Sequence, residues 1–279
     1  MFTSFIITFR EALEAALIIG IIAAYIARVG RKDLNRYLYM GIAGAIFASA
    51  AVALLFKLVY GELEGTAEQM FEGIAALAAS VVLTYMIFWM AENSRKIKGE
   101  LQEKIDVSIS KGEKIGIAGL SFIAVFREGV ETVLFLGTLA IASPADTLLG
   151  FAAGVIAVVI LSIVMFKGIY SLDISKFFKY TSIVLLLFSA GLAARGVHEF
   201  NEAGIIPPVI EHMWDLNPPV NPDGSYPLFH ENGLIGSSLK SLIGYNADPS
   251  LTEVLAYVGY WSVIGFFVYR TYTRDGEKL

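Results

Sequence analysis

From Tyr37 to Phe56 the chain runs for twenty residues without a charge, and it does so again from Thr147 to Phe166. A helix needs about 20 apolar residues to cross the hydrocarbon core of a bilayer. Further apolar runs lie near 2–29, 73–91, 115–143, 180–200 and 251–269. Inside lipid the backbone has no water to bond with, so segments of this kind must be helical. The sequence therefore predicts an all-α, polytopic membrane protein with seven transmembrane helices. Charged residues make up only 17 % of the chain, where a soluble protein carries roughly a quarter.

The basic residues orient these spans. Segment 28–36 holds four Lys/Arg, 95–114 six, 167–179 three and the tail three, together 16 of the 21 in the chain. The alternate connections are acidic. Positive charge stays on the cytoplasmic side, which predicts an amino terminus outside and a carboxyl terminus inside. The expected organisation is a first three-helix repeat over 1–94, a cytoplasmic linker over 95–114 and a second three-helix repeat over 115–200. An extracytoplasmic segment over 201–250 and a seventh transmembrane helix with a cytoplasmic tail over 251–279 follow. Residues 201–250 are too polar to span, and Gly233–Ile243 within them is expected to form a short amphipathic helix at the interface. The first apolar run lacks a basic leader and is expected to be retained. A net charge of −5 argues against nucleic acid as a partner. With no cysteine, disulfides, zinc–thiolate sites and iron–sulfur clusters are excluded.

Two spans break the apolar rule, and they break it in the same way. The first carries R-E-A-L-E from Arg10 to Glu14, the fourth R-E-G-V-E from Arg127 to Glu131. A charge at the centre of a membrane helix costs roughly 2.5–3.5 kcal/mol on insertion scales. Three such charges, twice over, have to pair, face water or hold something. Each copy opens a three-helix half, and the two halves run through the membrane in opposite senses. That predicts a 3+3 inverted repeat plus a final helix, with a site near the midplane between the halves, as in many transporters.

Helix spacing sets the chemistry of the motif. Glu11 and Glu14 stand three apart and share a face, as do Glu128 and Glu131. Arg10 and Arg127 each reach a glutamate four residues on. One arginine neutralises one of two acids, so two facing copies leave about −2 and up to eight carboxylate oxygens. Such a site suits iron, manganese, magnesium or calcium. Gly129, Ala12, Ala15 and Ala16 are expected to let the two helices pack closely enough to share one ion. The plainer reading is a pair of buried salt bridges locking two helices together. The surplus acid in each copy argues against it.

Other acids have two readings each. Glu64, Glu68 and Glu72 recur every four residues near the outer face, as a cation-concentrating mouth or as a solvated loop. His198, Glu199 and Glu202 end the sixth span. His198 and Glu202 have metal-sharing spacing, while Arg195 paired to Glu199 would make the group a polar cap. Glu211, His212, Asp215, His230 and Glu231 read as metal or partner ligands or as solvated loop. Met86 and Met90 read as packing.

The two motif copies resemble the paired R-E-x-x-E motifs of the oxidase-dependent iron permease family. F-E-G-I-A-A-L at Phe71–Leu77 and G-Y-N-A-D-P-S-L-T-E-V-L at Gly244–Leu255 are similar to that family too. The resemblance covers nearly the whole chain. It implies high-affinity uptake of Fe3+ or Fe2+ across the plasma membrane, with iron as substrate and no permanently bound cofactor. It implies Glu11, Glu14, Glu128 and Glu131 as metal-carrying groups, with Arg10 and Arg127 beside them. It also implies a separate extracytoplasmic iron oxidase or delivery protein, because the chain has no oxidase domain. Two alternatives remain: a carrier of another divalent metal such as manganese or lead, and a carboxylate-bound membrane metalloenzyme. The enzyme reading wants Glu-x-x-His pairs, and no span contains one.

Overall fold

A computed structural model describes residues 1–93, 99, 103, 105, 107, 114–166 and 174–276. The expected linker 95–114 and the basic turn 167–179 fall largely outside the described residues. Among the described residues the long elements are all helices: α1 (Phe2–Arg28), α2 (Asn35–Gly61), α3 (Thr66–Asn93), α4 (Lys114–Ala142), α5 (Pro144–Phe166), α6 (Ile174–Glu202), α7 (Leu234–Ile243) and α8 (Leu251–Gly276). Five of these, α2, α3, α5, α6 and α8, are long and apolar enough to cross a membrane. Helices α1 and α4 have the length, 27 and 29 residues, but each is interrupted by the three charges of its motif.

Local sequence explains the helix ends. Proline at the first position of α5 has no amide to leave unpaired and carries a helix-ready φ. Helix α7 closes on Gly244, whose φ of 70° is the left-handed cap conformation. This helix falls where the amphipathic stretch predicts it. One boundary needs correcting: the third helix starts well before residue 73 and takes in Glu68 as well as Glu72. Helix α3 begins at Thr66, so Glu68 falls in its first turn and Glu72 one turn further in.

The chain divides into two compact units, Met1–Glu62 with Tyr85–Ile183, and Leu63–Thr84 with Val184–Leu279. In the first, α1 packs along α5 and α2 along α4, and α1 meets α4. The register is the same for both close pairs. A Cβ on Gly150 would collide with Ser4 Oγ and the Met1 carbonyl oxygen; one on Gly41 would collide with Ser121 Oγ and the Ala118 carbonyl oxygen. Ser4 and Ser121 each stand six residues before a motif arginine. Further along, Gly154 meets Thr8 and Gly137 meets Phe56, so the helices of each pair run parallel. The unit buries a charged and polar cluster within an otherwise apolar interior, beside Ile7, Leu13 and Phe135, and is apolar outside as well. Arg10, Glu11, Glu14, Ser121 and Glu128 are buried, while Phe47, Leu54, Leu58, Ile156 and Ile160 are exposed. A continuous exposed apolar surface of this kind is a lipid-facing surface.

The second unit is held by polar contacts across its helices. Ser80 Oγ donates to the Ser189 carbonyl oxygen and Ser189 Oγ to that of Ser80, both at 2.8 Å. Thr84 Oγ1 lies 2.9 Å from Ser189 Oγ and 2.8 Å from the Tyr260 hydroxyl. Gly73 approaches Gly196, so α3 and α6 run antiparallel here. The segment before α8 folds back on itself: the Met213 and Leu216 amides donate to the Pro249 and Ala247 carbonyls.

Candidate metal site

The motif charges sit where α1 and α4 cross. Helix spacing puts Arg10, Glu11 and Glu14 on one side of α1, and Arg127, Glu128 and Glu131 on one side of α4. One oxygen each of Glu11, Glu128 and Glu131 can be taken so that all three lie within 4.8 Å of one another. The centre of a triangle with 4.8 Å edges is about 2.8 Å from each corner, the edge divided by √3. A contraction of well under 1 Å brings it to the 2.0–2.6 Å of hard cations bound by oxygen.

Glu14, the fourth predicted ligand, is not in this trio. Its Oε1 lies 2.9 Å from Arg10 Nη2, and its Oε2 lies 3.9 Å from Arg127 Nη2. It bridges the two arginines instead. Arg10 is fully buried; its Nη1 donates to Glu11 Oε1 at 2.8 Å and to Met86 Sδ at 3.2 Å. Its guanidinium carbon lies 5.8 Å from the Phe178 ring. Arg127 contacts Glu128 at 3.1 Å and Glu131 at 3.4 Å, and lies 5.1 Å from the Trp89 ring centroid.

The arginines do not use up the acids. Glu11 Oε2, Glu128 Oε2 and Glu131 Oε2 are buried without a hydrogen-bond partner among the described residues. An uncompensated buried carboxylate costs several kcal/mol, so simple ion-pair locking explains the cluster poorly. Four acids against two arginines leave a formal charge of −2. Every candidate ligand atom is a carboxylate oxygen, which suits a hard or borderline cation. The expected role of Gly129 is different in the structure. The close neighbour of Gly129 is Ser49 on α2, not α1, because α4 presents that face to its parallel partner.

The remaining predicted residues lie in the second unit. Glu64 is exposed ahead of α3 and Glu68 half-buried. Arg195 ties Glu72 at 3.2 Å and Glu199 at 3.5 Å. His198 does not meet Glu202, which is exposed; its Nδ1 lies 3.2 Å from Glu253 Oε1. In the segment between α6 and α8, His212 lies 2.8 Å from Asp248, Lys240 lies 3.6 Å from Glu231, and His230 packs on Tyr226. The Asp248 carboxylate holds the His212 imidazolium, and this raises its pKa above the ordinary value.

Sequence reading missed Trp89, Phe178 and Glu253. Trp89 looks like a span-ending belt residue, and Phe178 falls in the stretch read as the basic turn 167–179. Glu253 had a usable signal, an acid just inside an apolar run. The structure makes it the acceptor for Asn246 Nδ2 at 2.7 Å and for the Ser250 amide at 3.1 Å.

The profile of the iron permease FTR1 family matches residues 1–274. An uncharacterized protein of Archaeoglobus fulgidus is 36 % identical over 282 residues, covering 100 % of this chain and 98 % of its own. The ferrous iron permease EfeU of Yersinia pestis is 33 % identical over 267 residues, covering 93 % and 90 %. The ferrous iron permease EfeU of Escherichia coli O6:H1 is 32 % identical, covering 93 % and 92 %. No solved structure matches.

Proposed function

The chain belongs to the iron permease FTR1 family, and on that premise we propose that it carries iron, as Fe2+, on the carboxylates of Glu11, Glu128 and Glu131. The observation that carries the reading is the meeting of three acids from two helices with buried, unpartnered oxygens. A formal charge of −2 balances a divalent ion, and relatives named for ferrous iron support the same choice. The family is one of transporters, which sets the metalloenzyme alternative aside.

Seven spans, with the amino terminus outside, place the crossing of α1 and α4 inside the membrane. The two halves, 1–94 and 115–200, form an inverted repeat. Matching contacts support it. Ser4 meets Gly150 as Ser121 meets Gly41, and Ser80 meets Ser189 reciprocally. With α2 parallel to α4 and joined to α1 by a short turn, α1 and α4 run in opposite directions. Iron enters from the acidic outer side, binds at the crossing and leaves inward across the plasma membrane. Carboxylates and guanidinium groups are redox-inert, so any oxidation of iron falls to a separate extracytoplasmic protein.

The test is uptake of labelled iron into proteoliposomes, with manganese and lead as competitors. Glu131→Gln should abolish uptake while the protein still inserts. Uptake at the wild-type rate in that variant would remove the trio from the transport path.

A further inference from the structure

The two motif arginines occupy the same place in their five-residue patterns but are held differently. Arg10 is 0 % exposed, hydrogen-bonded to Glu11 at 2.8 Å and to Met86 Sδ at 3.2 Å, and lies beside Phe178. Its surroundings leave it nowhere to go. Arg127 is 42 % exposed. It lies 3.1, 3.4 and 3.9 Å from three carboxylates, ion-pair contacts without a hydrogen bond among the described residues. Its remaining support is the indole face of Trp89, 5.1 Å from ring centroid to guanidinium carbon.

Two of the acids Arg127 touches, Glu128 and Glu131, belong to the trio. A divalent cation seated there repels a guanidinium on the same two carboxylates. One positive group has to give way, and only Arg127 is both loosely tied and provided with a second resting place. We propose that Arg127 is the displaceable cation of the site and that Trp89 is a positioning residue that receives it. The metal moves the guanidinium off Glu128 and Glu131 along the indole face, and on release Arg127 returns to them. Arg10 stays fixed throughout. The inference rests on the trio being the metal site.

Cation–π support at a partly exposed site corresponds to about 2–30-fold in an equilibrium constant. The experiment measures Mn2+ and anaerobic Fe2+ binding to the full chain in nanodiscs by calorimetry. W89L should weaken binding about 3–30-fold, because Arg127 then stays on the acids and competes. W89F, which keeps a ring face, should return most of the affinity. R127Q should bind metal more tightly and turn over more slowly, with lower KM and lower kcat in uptake. In the R127Q background, W89L should change affinity by less than about twofold. R127K gives a second reading should W89L fail to fold. Its ammonium has no flat face to stack, so binding should weaken as in W89L.

Equal loss from W89L in both backgrounds would make Trp89 merely structural and overturn the inference, as would weaker binding by R127Q. Failure of the wild type to bind either metal would overturn the site reading and this inference together. A wild type that binds, with W89L additive to R127Q, would overturn the inference alone.

Discussion

Glu11→Gln and Glu14→Gln remove the same charge from the same helix face, yet they should differ in metal affinity by roughly 6- to 1,000-fold. Both acids are buried, at 1 % and 4 % exposure, and both lie against Arg10, at 2.8 and 2.9 Å. Either variant takes the formal charge of the cluster from −2 to −1. Only Glu11 belongs to the trio. A divalent ion about 2.8 Å from a carboxylate oxygen gains roughly 12 kcal/mol at an effective dielectric constant of 20, most of it offset by dehydration of the ion. Removing one partner of such a buried contact costs a net 2–5 kcal/mol, about 30- to 5,000-fold. The Glu14 charge is already shared between two arginines, so losing it alters only the field, on the order of 1 kcal/mol or about fivefold. Anaerobic Fe2+ or Mn2+ binding to purified protein in nanodiscs reads the difference directly, with proteoliposome uptake beside it. Equal losses in the two variants would mean that the cluster attracts cations only through its charge, and the trio as a binding site would be refuted.

Three further outcomes are expected. Gly41→Ala and Gly150→Ala should each lower stability by about 1–3 kcal/mol through overpacking against Ser121 and Ser4. Gly119→Ala, with nothing within 4 Å of its added methyl, should be neutral or stabilising by up to about 1 kcal/mol; thermal unfolding in detergent compares the three. Tyr260→Phe removes the 2.8 Å contact with Thr84 and should cost about 0.5–1.5 kcal/mol in the same assay. His212 should titrate above the ordinary 6.5, because the charged ring is held by Asp248. The tie is then fully present below pH 6.5 and lost as pH rises through the raised value; an NMR titration in which D248N leaves the His212 pKa unmoved would refute this.

Much of this molecule can be read before any coordinates. The helices follow from uncharged runs of bilayer length, since no other structure satisfies a backbone in lipid. The expected boundaries fall within about seven residues of those observed, the largest shifts where amphipathic ends such as Thr66–Glu72 extend a helix beyond its apolar run. The motif acids announce themselves because charge in an apolar span has to be compensated, and the i, i+3 spacing puts each pair on one face.

Spacing along a helix cannot say which acids converge across two helices. That depends on the rotation and crossing of α1 against α4, set in part by how each packs on its parallel partner, with Ser4 on Gly150 and Ser121 on Gly41. Four equivalent glutamates therefore become three that converge and one that bridges arginines, and two equivalent arginines become one locked beside Met86 and Phe178 and one resting on Trp89. Sequence alone determined the membrane helices and the presence of a charged centre, because both follow from local solvation. Tertiary structure decided what each charge meets, because a buried charge is governed by the groups that other helices bring to within a few ångströms of it.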